Sequence, residues 1–233
     1  MGNRRPSIKD VAQKANVSIA TVSHVLNKTR YVSDEITQRV MDALAETNYQ
    51  SNAIAKALRQ NKTRTIGVII PDIINPFFSN LVNFIETELN EYGYSVILCH
   101  SRDDLDREIA CINKLRSWAV DGMIIAPASP TFDYSELERQ GECPIVFVDR
   151  RPNMEEYDGV FFDLFHVFKN ATEELLRAGH KKIGFIHGPV RFSTTGDRIC
   201  GYTAALQEHN ISVCDNLIVS GETTTNGGFS AME

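Results

Sequence analysis

Cysteine is sparse and unpatterned in this 233-residue sequence. Cys99, Cys111, Cys143, Cys200 and Cys214 are widely separated, form no CxxC pair and leave one thiol over. That argues against a disulfide framework or a thiolate metal cage and favours a reducing compartment, the cytoplasm. No apolar run approaches the roughly 18 residues of a membrane helix, and the N-terminus lacks an apolar leader segment, so neither a span nor a signal peptide is expected. The P-loop, HExxH and GxSxG motifs are missing, and His187-Gly188-Pro189 lacks the glycine spacing of a dinucleotide fingerprint. The chain is therefore expected to be no enzyme and to need no cofactor or metal. A composition of 42% hydrophobic and 23% charged residues fits a folded protein.

Negative charge is scarce at one end only. Residues 1–64 carry eleven Lys and Arg against five acids, a charge of +6, while residues 65–233 carry thirteen against twenty-five, a charge of -12. A basic front and an acidic remainder imply two different tasks, the first compatible with a polyanion.

The basic part reads as three short helices. Ser7 followed three residues later by Asp10 starts the first, with Ile8, Val11 and Ala12 on one face. Asn16 suits a left-handed turn position, and Ser18 caps a second helix running to about Asn27, with Ile19, Val22, Val25 and Leu26 as its apolar candidates. A third starts at Ser33 and turns Ile36, Val40, Leu44 and Ala45 inward. The small Ala12 lets the first two helices approach closely, the geometry of a DNA-reading helix-turn-helix. Ile19, Ala20 and His24 are candidates for base edges, the first two for a thymine methyl, whereas Ser18, Thr21, Ser23, Asn27 and Lys28 are placed for phosphates. The plainer alternatives are a small helical bundle for protein contact, and caps or solvated positions for the polar residues, Ser18 and Ser23 above all.

From residue 65 onward, strands and helices alternate. Strands are expected at 65–71, 94–99, 121–126 and 144–148, with helices at 77–92, 104–117 and 134–140. A second series follows, with strands at 159–162, 182–187 and 216–220 and helices at 164–178 and 195–209. This is the pattern of a parallel sheet with crossover helices, and residues 149–158 read as a crossover between two lobes. Such sheets bind ligands beyond the C-terminal ends of their strands. Asn75, Phe77 and Phe78 follow the first strand, and Asp149 and Arg150 follow the strand at 144–148. An amide, aromatic faces, a carboxylate and a guanidinium together suit a small polyhydroxy ligand. Each also has a structural reading: a helix cap for Asn75, core for the phenylalanines, a local ion pair for Asp149 and Arg150.

The run Ile8-Lys9-Asp10-Val11-Ala12 through Val17-Ser18-Ile19-Ala20-Thr21-Val22-Ser23-His24-Val25-Leu26-Asn27, then Val32-Ser33, resembles the headpiece of the lac and galactose repressor family. Its purine and ribose operon repressors look most similar, because His24 stands where they also place histidine. The resemblance implies a multidomain chain: an all-α lambda-repressor-like headpiece (1–49), a hinge helix and linker (50–61), and a periplasmic-binding-protein-like α/β domain of two lobes (62–156 and 157–233). It further implies a hinge that orders on operator DNA as paired hinges of a homodimer enter the minor groove. Leu58 would then wedge between base pairs, with Asn52, Ala55, Lys56 and Arg59 along the groove. Without the family, this segment is a short helix too brief to stand alone, and Leu58 could dock on the next domain.

Asn75-Pro76-Phe77-Phe78 and Val148-Asp149-Arg150 resemble family stretches that partly face the ligand, and Arg198 and Thr194 stand where relatives carry ligand contacts. Phe192 falls where the purine repressor has a second ligand arginine, which favours a sugar, such as a pentose, over a purine. Since relatives run longer, the chain is expected to be C-terminally truncated with an incomplete second lobe. The implied function is a repressor binding double-stranded operator DNA, tuned by a small effector. The competing expectation is a truncated cytoplasmic ligand-binding or dominant-negative partner protein without operator specificity.

Overall fold

The computed structural model describes residues 6–49, 62–135, 143–152 and 157–233. The expected hinge, with Asn52, Ala55, Lys56, Leu58 and Arg59, lies outside the described residues, as does most of the helix expected at 134–140. The chain divides into two compact units, residues 1–63 and 64–233.

The first unit is a three-helix cluster: α1 (Ile8–Ala15), α2 (Ile19–Asn27) and α3 (Asp34–Thr47). Asp10 starts α1 by accepting from both the backbone N–H and the hydroxyl of Ser7, each at 2.7 Å. Asn16 ends it at φ 52°, and the hydroxyl of Ser18 accepts from the Thr21 N–H at 3.0 Å to begin α2. Val11, Ala12, Ala15, Val22, Val40 and Ala43 form the buried centre, with Ile8, Val17, Val25, Ile36 and Leu44 around it. Two expectations differ. Leu26 is exposed at 36%, and Ala43 rather than Ala45 faces inward, while Ile19, at 44%, is exposed as a base-edge candidate must be. Ala43, three residues on from Val40 and seven from Ile36, continues that apolar stripe, whereas Ala45 lies about half a turn round the helix from Ile36. Arg39 adds a clasp, donating to the carbonyls of Ala15 (2.6 Å) and Asn16 (3.2 Å), which the end of α1 leaves without helical partners.

The second unit holds a five-stranded parallel sheet of order β2-β1-β3-β4-β5. Its strands are β1 (Thr65–Ile70), β2 (Ser95–His100), β3 (Gly122–Ile125), β4 (Ile145–Val148) and β5 (Gly159–Val160). Helix α4 (Pro76–Glu91) connects β1 to β2, and α5 (Leu105–Ser117) connects β2 to β3. Alternation along the strands gives each face its own core. Val68, Ile70 and Val148 pack with Leu81, Val82 and Ile85 of α4, while Ile69, Ile125 and Phe147 pack with Ile112 and Leu115 of α5. Covering both faces is what a parallel sheet requires, and each fully buried side chain such as Phe147 contributes about 1.5–3 kcal/mol. Because α4 and α5 lie on opposite faces, their connections diverge at β1, and a crevice opens there beyond the strand ends.

Helix α6 (Leu164–Arg177), β6 (Phe185–His187), α7 (Ser193–Glu208), β7 (Ile218–Ser220) and α8 (Thr225–Met232) follow, with β6 and β7 paired in parallel. Gly179, at φ 93°, carries the chain out of α6. Gly201 lets α7 lie directly on α6, since a Cβ there would sit 2.2 Å from the Phe165 carbonyl oxygen. The strand expected to open the second series at 159–162 instead closes the first sheet: Phe147 and Val148 pair with Gly159 and Val160. The turn residues at 149–158 look the same whether the chain crosses to a new lobe or returns to the old sheet, and only the pairing of edge strands distinguishes the two.

Candidate DNA-reading helix and ligand cleft

In the headpiece, Ser18, Ile19 and Ala20 stand exposed at the start of α2, and Lys28, in left-handed conformation at φ 50°, is exposed at its end. The other polar candidates have internal partners. The Ser18 and Thr21 hydroxyls are 2.9 Å apart, and Asn27 Nδ2 donates to the Ser23 carbonyl at 2.9 Å and reaches the Ser23 hydroxyl at 3.3 Å. His24 Nδ1 lies 2.9 Å from Thr29 Oγ1. Thus the capping reading of Ser18 holds, and Ser23 with Asn27 form a stitch along α2. Val22 is fully buried, so the opposite face, with Ala20 and His24 one turn apart, is the one turned outward.

In the second unit a cleft of about 760 Å³ opens where the strands end. All seven residues singled out from the sequence line it: Asn75, Phe77, Phe78, Asp149, Arg150, Thr194 and Arg198. They arrive from three places. The loop after β1 leads to Asn75, whose Oδ1 caps α4 by accepting from the Phe77 N–H at 3.0 Å. Phe77 is 40% exposed and meets Phe78 and Phe162 edge-on at 5.0 and 5.8 Å, while Phe78 is buried beneath it. The turn after β4 supplies Asp149 and Arg150. Thr194 and Arg198, four residues apart, face the cleft from the start of α7, which begins at Ser193, two residues before the expected start.

Arg150 is the most constrained group. Only 6% exposed, it bonds Asp103 Oδ1 at 2.5 Å and the Pro127 carbonyl at 3.2 Å, lies 3.7 Å from Asp149 Oδ2, and stacks on Phe192 at 3.6 Å. The neighbouring Ala128 N–H donates to Glu108 at 2.8 Å, and Glu108 also accepts the Tyr134 hydroxyl. The Pro127–Ala128 peptide is therefore gripped from two sides. Burial raises the Glu108 carboxyl pKa, against the lowering effect of these two donors, and raises that of Asp149 against Arg150 and Arg198. Arg102, Asp103 and Asp149, all at the cleft, have φ of 55°, 56° and 65°, a local strain held by surrounding contacts.

Arg198 contrasts with Arg150. Its Nε is buried without a hydrogen-bond partner, the sole such side-chain atom among the described residues. A buried unsatisfied donor beside a cleft points to a ligand acceptor. The sequence reading missed Asp72, Arg102, Asp103, Phe162 and Thr195 as cleft residues. Asp103 carries no local mark, because its role depends on a guanidinium 47 residues away.

A headpiece followed by this cleft can be set beside known proteins. Residues 7–52 match the profile of bacterial regulatory proteins of the lacI family, and residues 63–233 match that of periplasmic binding proteins and the sugar binding domain of the LacI family. The chain belongs to the LacI family. The repressor PurR of Edwardsiella ictaluri (strain 93-146) is 34% identical over 229 residues, covering 97% of this chain and 67% of that protein. The ribose operon repressor of Escherichia coli (strain K12) is 36% identical over 227 residues, covering 97% and 69%. Among LacI-family structures, the lac repressor dimer bound to operator and the anti-inducer ONPF has a TM-score of 0.84 at 24% identity, covering 97% of this chain and 68% of that one. At that identity the likeness carries the fold: a helix-turn-helix followed by a periplasmic-binding-like α/β domain. The regulator CelR in complex with cellobiose has a TM-score of 0.65 at 25% identity, covering 98% and 69%. The homologous PurR and ribose operon proteins are repressors, not enzymes. Among the described residues no helix is long and apolar enough to cross a membrane.

Proposed function

We propose that this chain is a sequence-specific, DNA-binding transcriptional repressor whose operator affinity is tuned by a small neutral polyhydroxy effector, a sugar. The observation that carries the effector reading is the cleft, with its buried, unpartnered Arg198 Nε. Its wall holds three carboxylates (Asp72, Asp103, Asp149) and three guanidinium groups (Arg102, Arg150, Arg198), so no charge excess selects an ion. Phe77 and Phe162, both partly exposed, offer apolar faces to the C–H side of a sugar ring. Phe192 supports a sugar over a purine, because its ring is engaged with Arg150 and it supplies no donor of its own.

On the DNA side, Ile19 and Ala20 meet thymine methyls and His24 a base edge. Ser18, Thr21, Ser23, Asn27 and Lys28 set register on phosphates. The segment with Asn52, Ala55, Lys56, Leu58 and Arg59 enters the minor groove of a pseudo-palindromic operator bound by a homodimer in the cytoplasm. The test is a titration of the purified chain against its own upstream DNA and a random duplex over a range of salt. Tighter binding to one promoter fragment than to random duplex at physiological salt is expected, and weakening by pentoses or hexoses but not by purine bases. Equal affinity for both duplexes overturns the repressor reading, and a response to purines alone overturns the effector class.

A further inference from the structure

The bond between His24 and Thr29 crosses the end of α2. Asn27 is the last helical residue, and Lys28 in its left-handed conformation turns the chain so that Thr29 returns to the imidazole. A neutral imidazole has one donor and one acceptor, so the partner of Nδ1 decides what Nε2 offers outward. Three states satisfy the 2.9 Å contact. The Thr29 hydroxyl donates to Nδ1 and leaves hydrogen on Nε2; or the ring is an imidazolium and donates from both nitrogens; or Nδ1–H donates to Thr29 and leaves Nε2 an acceptor. The first two present an Nε2–H, the form that can donate to an acceptor on a base edge, and the third presents an acceptor.

We propose that Thr29 is a positioning residue for base recognition: by holding Nδ1 of His24 it turns Nε2–H outward as a donor to guanine in the major groove. Guanine fits because its N7 and O6 are adjacent acceptors with no donor beside them, whereas adenine pairs its N7 with an amino donor and thymine its O4 with a methyl. His24 stands one turn beyond Ala20 on the outward face of α2, so the ring edge lies on the surface assigned above to base contact. The inference rests on that reading of α2.

The experiment is selection of duplexes from a random library by the full chain, comparing wild type with Thr29→Val, Thr29→Ser and His24→Ala. Wild type is expected to enrich a motif with one G·C pair per half-site that both Thr29→Val and His24→Ala cease to distinguish. Thr29→Val should lose about tenfold in affinity for the selected site and keep its affinity for random duplex, and Thr29→Ser should restore the preference. Replacing that guanine with 7-deazaguanine should weaken wild type and leave Thr29→Val unaffected. Retention of the guanine preference by Thr29→Val, or an equal loss on every sequence as for a phosphate contact, overturns the proposal while leaving the repressor reading intact. Enrichment of no motif by wild type overturns the repressor reading itself.

Discussion

Replacing Arg150 with Met tests how the cleft wall is held. The methionine keeps much of the side-chain volume against Phe192 but removes the charge. Arg150 is 6% exposed and bridges Asp103 at 2.5 Å, Pro127 O at 3.2 Å and the Phe192 ring at 3.6 Å. Removing one partner of a buried ion pair costs about 3–5 kcal/mol, because the other charge stays desolvated. Asp103 retains 20% side-chain exposure, which places the expected loss at the lower end, about 3 kcal/mol. For a unit of this size, each kcal/mol lowers Tm by about 2–4 °C, so the second unit should melt roughly 6–12 °C earlier. Calorimetry of the full chain reads this directly. Asp103→Asn provides the second arm of a double-mutant cycle, with an expected coupling of about 2 kcal/mol. A loss below about 1 kcal/mol for Arg150→Met, or strict additivity of the two changes, would refute the account of a buried pair shaping the cleft.

Other outcomes follow from the same geometry. Gly201→Ala should cost more than about 2 kcal/mol by forcing α7 off the Phe165 carbonyl, whereas Gly196→Ala in the same helix meets nothing within 4 Å and should gain about 0.5–1 kcal/mol; urea midpoints compare them. Glu108 has its folded-state pKa raised above the usual 4.5, so the folded state holds its proton longer than the unfolded one, and stability falls as pH rises from 4.5 toward that raised value. Urea titrations between pH 4 and 8 should therefore show Glu108→Gln improving relative to wild type as pH rises; a constant difference would refute the assignment. Arg198→Met should weaken sugar binding about tenfold or more without changing operator affinity in the absence of sugar, as read by isothermal calorimetry and a shift assay.

Much of this architecture is legible locally. The Ser7–Asp10 capping pair, Asn16 in the left-handed turn and Ser18 before α2 are short-range signals whose energetics close within four residues, and each is found in place. The same holds for Asn75-Pro76 opening α4 and for Gly179 ending α6. Positions whose environment comes from elsewhere are read less well. Leu26 satisfies the apolar pattern of its helix but is exposed, because a pattern states that a stripe exists and not which residues a neighbouring helix covers. Asp103 and Phe162 in the cleft give no sign in their own segments.

What the sequence determined by itself was the order and kind of elements, the division of charge between a basic front and an acidic remainder, and the motif that places the chain in its family; these depend on neighbours within a turn or a strand. Tertiary structure alone decided that β5 closes the first sheet, that Arg150 is held by Asp103 while Arg198 keeps an unmatched donor, and that Thr29 reaches back to His24. Each is a pairing whose energy exists only once segments that choose their own conformations independently have been brought within hydrogen-bonding distance.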